Sequence, residues 1–155
     1  MSDDPLSLEA RQLGEETIIF GKNMQVSAGD QADFGRAATS NEVIEGIDLQ
    51  TWLFVYTERD SKQANGFVDL MLKISRPLGV SVAPPTMQVL KDDRTDTYVQ
   101  ALRKQLEGNP KIQMVVILFP TARDDRYAAV KKICCSELPV PSQVGSFRIK
   151  YEIII

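Results

Sequence analysis

Two apolar runs, TWLFVYTE (51–58) and KIQMVVILF (111–119), constrain this chain more than any other feature of it. Both are rich in aromatic and β-branched residues, and neither shows the alternation of a half-exposed strand. They belong in strands covered on both faces. Each is followed by a polar loop and then by helical spacing. DSKQANGFVDLMLKISRPLG (60–79) offers Asp60 or Ser61 as N-cap and sets Phe67, Leu70, Met71 and Ile74 on one stripe, before Pro77 and Gly79 stop it. TMQVLK (86–91) reads as a short strand, and DDRTDTYVQALRKQLEG (92–108) as a helix carrying Tyr98, Leu102 and Leu106 and ended by Gly108. RDDRYAAVKKICCSE (123–137) gives a third helix. LPVPSQV (138–144) then leads into GSFRIKYEIII, where Phe147, Ile149, Tyr151, Ile153 and Ile155 alternate with charged residues as in a strand. Strand and helix alternating in this order predict an α/β fold with a mostly parallel four-stranded sheet flanked by helices.

The first forty-eight residues read differently. ETIIFG (16–21) suits a short strand and QADFGRAA (31–38) a helical turn carrying Phe34, punctuated by Gly21, Gly29, Gly35 and Gly46. We therefore divide the chain into an extended lead-in over 1–48 and an α/β domain over 49–155, with an atypical tail from 145.

Composition narrows the chemistry. The 21 acidic and 18 basic residues leave a formal charge of −3, which argues against coating nucleic acid through a broad basic face but leaves room for a local anion pocket. The chain has no histidine, so the commonest general base and the Ser-His-Asp arrangement are absent. Its two cysteines, Cys134 and Cys135, are neighbours, which fits buried helical thiols and no zinc site. No apolar stretch nears the roughly 20 residues of a membrane span. MSDDPLSLEARQ lacks the layout of a secretion signal, so an intracellular location is expected.

Ligands of parallel α/β sheets usually bind beyond the carboxyl ends of strands. TARDD (121–125) lies at such an end, yet neither GxGxxG nor GxxxxGK[ST] follows any strand. Asp124 and Asp125 fit a helix start better than a metal site. Tyr127 and Lys131, four apart, share a helix face beside that start, where free N–H groups and the helix dipole favour an anion. Spacing alone also fits a core tyrosine with a solvated lysine next to it.

The segment VVILFPTARDDRYAAVKKICCSELPVPSQV resembles the MID domain of Argonaute proteins, in particular the Piwi branch. The likeness lies in an apolar strand, a short loop, YxxxK, and a glutamine twelve residues after the lysine within PSQ: Tyr127, Lys131 and Gln143. DDRTDTYVQALRKQL resembles the Piwi segment before that strand. LEARQLGEETIIFG, QADFGRA and LQTWLFVYTER resemble the linker leading into MID.

The resemblance implies a Rossmann-like sheet whose pocket holds the 5′-phosphate of a small guide RNA, of the piRNA type. By position Tyr127 would stack on the first base and set its hydroxyl at the phosphate. Lys131 would neutralise a phosphate oxygen and Gln143 would donate from its carboxamide. Thr121, Ala122, Arg123 and Asp124 would sense the first nucleotide, uridine in Piwi guides, with Arg123 and Asp124 at the base edge. It further implies germline silencing, in nuage or the nucleus, alongside protein partners.

Two family features have no counterpart in this sequence: a further lysine after the PSQ strand, and the chain-end carboxylate that helps hold Mg²⁺. No cofactor is expected, and weak, micromolar-or-poorer binding is. The PAZ and catalytic PIWI domains also lie outside this sequence, so no cutting of RNA is expected. A second reading is a truncated MID fold that serves protein contacts and binds little RNA. A third, a small α/β enzyme, would be favoured by a carboxylate-lined pocket opening away from Tyr127.

Overall fold

Residues 52–57 form the spine of the molecule because nothing in WLFVYT tolerates water on either face, and all six are buried. In a computed structural model describing residues 8–11 and 13–146, this strand lies inside a four-stranded parallel sheet. The chain opens with β1 (Thr17–Ile19) and β2 (Gln25–Ser27), then α1 (Gly35–Ser40). The spine is β3 (Trp52–Thr57), followed by α2 (Ser61–Ser75), β4 (Thr86–Leu90), α3 (Thr95–Gly108), β5 (Met114–Phe119), α4 (Asp124–Lys132) and β6 (Ser142–Ser146). The sheet order is β4-β3-β5-β6, parallel at every described pairing. This is the Rossmann-like arrangement expected.

Strand alternation divides the core in two. Leu53, Val55, Val115, Ile117 and Phe119 face Tyr98, Leu102 and Leu106 of α3 and Val130, Ile133 and Cys134 around α4. Trp52, Phe54, Tyr56, Val116 and Leu118 face Ala64 and Val68 of α2, with Phe67 stacked on Phe54 at a centroid distance of 5.3 Å. The Trp52 Nε1–H donates to Ala83 O at 2.6 Å, which satisfies the one polar atom of a side chain otherwise wholly apolar in its contacts.

Several boundaries differ from the sequence reading. The last described strand starts at Ser142, inside PSQV, rather than in the tail, because Ser142 to Ser146 pair in register with Val115 to Phe119. The alternating residues from Phe147 onward lie outside the described residues. The third helix stays α-helical only to Lys132 and continues as a wider π turn over Ile133–Glu137. In the lead-in, β1 and β2 form an antiparallel hairpin that the sequence reading had as one strand only. Its turn runs through Lys22 and Asn23, both in the left-handed region at φ 56° and 57°. Gly21 is fixed by contact: its N–H donates to Glu42 O at 2.7 Å, and a Cβ there would sit 2.7 Å from Val43 O.

Candidate functional site

The carboxyl end of β5 delivers the chain through residues 120–123 into α4, and the loop residues and Tyr127 stand around that corner. Tyr127, in the first turn and a half of α4, is 49% exposed. It is therefore not a core tyrosine. Lys131, one turn on, is half-buried, with its Nζ 5.8 Å from the Tyr127 ring centroid. The ammonium donates to Ser142 O at 2.7 Å and to Ser142 Oγ at 2.9 Å. These contacts tie α4 to the start of β6 and use two of the three donors an ammonium carries. Nearby, burial pushes the Cys134 thiol up, against the opposing pull of the Ser142 hydroxyl and the Lys131 charge.

Gln143 follows Ser142 but is not brought to the other two. Its strand partner is Val116, whose side chain lies in the core on the α2 face. Ser142 and Val144 pair with Val115 and Ile117, on the face covered by α3 and α4. Alternation thus directs Gln143 to the opposite side of the sheet from Lys131. It is exposed, and its Nε2 donates to Val144 O at 3.4 Å. The convergence of all three expected from the sequence is reduced here to a pair.

The loop residues Thr121, Ala122, Arg123 and Asp124 line the corner itself. Thr121 is half-buried, and the other three are exposed. Arg123 closes on Asp125 through two bonds, Nε to Oδ1 at 3.0 Å and Nη2 to Oδ2 at 2.7 Å. The paired Arg123 holds the Asp125 carboxyl below the usual carboxylate range, and the Thr95 hydroxyl bonds the same group at 3.4 Å. Asp125 acts as a loop clasp. The N-cap residue, Arg123, makes no side-chain cap bond, so the acidic pair does not cap α4 in the ordinary way.

The residue that sequence reasoning missed is Arg126. It is fully buried, at 0% exposure, beside the exposed Tyr127. Its guanidinium carbon lies 5.3 Å from the Tyr98 ring centroid and 5.1 Å from that of Phe119. Nη2 donates to Asp93 O and stands 3.5 Å from Asp93 Oδ2, while Nη1 donates to Thr121 O at 3.4 Å. Arg126 Nε has no partner among the described residues. The available signal was its spacing: Arg126, Val130 and Ile133 fall at i, i+4 and i+7, on the buried stripe.

A separate cleft of about 430 Å³ opens between the ends of β3 and β4, lined by Thr57, Glu58, Arg59, Lys91, Asp92 and Asp93. By residue type it meets the condition set for an enzyme reading. Two of its three carboxylates are already engaged, however. Asp92 accepts from Thr97 Oγ1 at 2.5 Å and from Arg94 N–H, which hold it below the usual range. Asp93 is flanked by Arg59 and Arg126. Asp92, held ionised, is not poised as a general acid. The described residues include no group of three or more His, Cys, Asp or Glu placed for a metal ion, and the corner around Asp125 does not supply the carboxylate set a Mg²⁺ would need.

Fold and corner together define a Rossmann-like α/β module, with an aromatic–cation pair along the helix that follows β5. No protein-family model matches the chain. It is 39% identical over 148 residues to Piwi-like protein Ago3 of Bombyx mori, covering 96% of this chain and 16% of that protein. To Protein argonaute-3 of Drosophila melanogaster it is 40% identical over 144 residues, again spanning 16% of the relative. The crystal structure of Drosophila Piwi superposes with a TM-score of 0.84 at 25% identity, covering 93% of this chain and 20% of that one. The chain belongs to the Piwi branch of the Argonaute proteins and spans about a sixth of the length of those relatives.

Proposed function

We propose that this module anchors the 5′ end of a small guide RNA in Piwi-type silencing, reading a terminal phosphate and the base attached to it. The observation that carries the reading is the exposed Tyr127 ring with the Lys131 ammonium one turn behind it, the latter against the first residue of β6. A terminal monophosphate carries close to two negative charges and three acceptor oxygens, so a few donors tell it from an internal link. An unpaired base on the tyrosine ring adds about 1–3 kcal/mol. Such a site needs no basic surface, which agrees with the charge of −3.

Two local adjustments accompany phosphate binding in this account. Lys131 exchanges its Ser142 hydroxyl contact for a phosphate oxygen. Gln143, exposed on the opposite face and held by a single long bond to Val144 O, reaches the phosphate only through a local turn of the β6 backbone out of its pairing. Both make capture weaker than in a preorganised pocket. The module binds and does not cut, and it works with germline silencing partners, in nuage or in the nucleus. Nuclear magnetic resonance titration with uridine and adenosine 5′-monophosphates tests it: shifts at Tyr127, Lys131 and Gln143 support the reading.

A second reading, a protein-interaction module, draws on the apolar lead-in, where Ile44 and Ile47 are 72% and 82% exposed. Silence of the corner residues in the same titration favours it.

A further inference from the structure

We infer that Arg126 is a positioning residue for first-base discrimination: its buried guanidinium fixes the loop 121–124 and, through the backbone, the setting of the Tyr127 ring. The inference rests on the proposed reading of that loop as the base-facing one.

The geometry is that of a rivet through three segments. One end of the fork holds Thr121 O, at the head of the loop. The other holds Asp93 O and its carboxylate, in the connection between β4 and α3. The guanidinium carbon sits beside a pair of rings, 5.3 Å from the Tyr98 centroid, on α3, and 5.1 Å from that of Phe119, the last residue of β5. Tyr98 and Phe119 are themselves edge to face at 5.1 Å, and Tyr98 Oη donates to Leu118 O at 3.1 Å, so that pair is rigid. Asp93 also meets Arg59, from the turn after β3, at 3.6 Å. The loops after β4 and β5 therefore meet on one cation that no ligand needs to touch, and the turn after β3 joins them through Asp93. Only arginine has the planar fork to reach two carbonyls at once beside those rings; a lysine offers one point charge. Because Arg126 immediately precedes Tyr127, a shift of its Cα carries the tyrosine with it.

The test uses the 155-residue chain with Arg126→Lys and Asp93→Ala. Affinities for uridine and adenosine 5′-monophosphates and for uridine are measured, together with amide hydrogen exchange. Arg126→Lys is expected to lower the ratio of uridine to adenosine monophosphate affinity by about three- to tenfold, while the preference for phosphate over hydroxyl persists. Exchange at the Tyr127 amide, which donates to Arg123 O at 3.0 Å, should quicken while β3 and β5 amides stay protected. Asp93→Ala should do the same to a smaller degree, and it stands in if Arg126→Lys does not fold. A merely structural arginine would lower all affinities together and leave the ratio unchanged. An unchanged ratio, in a wild type that discriminates, overturns the inference. If the wild type binds no monophosphate, the anchoring reading fails by itself; in that case, or if the wild type binds both monophosphates equally, exchange decides the rivet, and unaltered protection of the Tyr127 amide overturns it.

Discussion

Arg126 and Lys131 are cations five residues apart on the same helix, and the surrounding fold uses their charges in opposite ways. Around Arg126 the strand ends close in: two rings, two carbonyls and one carboxylate take up its charge and all but one of its nitrogens. Around Lys131 the neighbours are the rim of the tyrosine and the first residue of β6, which leave the ammonium half-buried and beside solvent. The first region spends charge on shape; the second holds charge where a ligand can reach it. A binding site made this way keeps its loop fixed with one cation and offers the other, so it does not have to trade affinity against rigidity in a single residue.

The comparison breaks most visibly in stability. Arg126→Met leaves Thr121 O and Asp93 O without their donor, and unfolding in urea should show a loss of about 2–3 kcal/mol, reduced from a fully buried ion pair because Asp93 is partly exposed. Lys131→Met should stay within about 1 kcal/mol of wild type. Equal losses would make Lys131 a structural clamp on β6 and erase the distinction. Next in size, Tyr127→Ala should weaken uridine 5′-monophosphate about five- to tenfold by calorimetry, since an exposed ring gives the lower part of the stacking range. Inorganic phosphate should bind the variant unchanged.

Gln143→Ala sharpens the comparison at the β6 edge. With its side chain starting on the opposite face, the loss should be only about two- to fivefold in monophosphate affinity, one neutral hydrogen bond less the reorientation. A loss as large as that of Lys131→Ala would mean that the carboxamide already faces the phosphate. The smallest effect concerns the loop clasp. Asp125 is depressed by its bond to Arg123, so its contribution to stability is present above the ordinary carboxylate pKa of about 3.9 and fades as pH falls through its lower folded value. Arg123→Ala should return the Asp125 titration, followed by carboxyl carbon chemical shift, toward the ordinary range.

How much of this was legible in the sequence follows from what sequence patterns encode. WLFVY and MVVILF declare strands buried on both faces, because continuous apolar runs have no other stable home, and the helical stripes at Tyr98, Leu102 and Leu106 declare what covers them. YxxxK gave a shared face, and the exposure of Tyr127 then removed the reading of it as a core tyrosine. Spacing could not give the facing of Gln143, since that depends on its register against Val116 across twenty-seven residues of chain. Nor did it give Arg126: a charged residue in a polar loop-to-helix junction reads as solvated, and only the fold brings Tyr98 and Phe119 over it. The β1–β2 hairpin escaped because its strands are three residues each and its turn uses Lys22 and Asn23 in place of glycine.

The central claim is that the Lys131 ammonium is held available for a terminal phosphate. Competition between uridine-first RNA oligomers bearing a 5′-phosphate or a 5′-hydroxyl, on wild type and Lys131→Ala, tests it most directly. The account predicts a preference for the phosphate of about ten- to a hundredfold in wild type that disappears in the variant. Equal binding of the two oligomers by wild type, or a preference that survives the loss of Lys131, would contradict it.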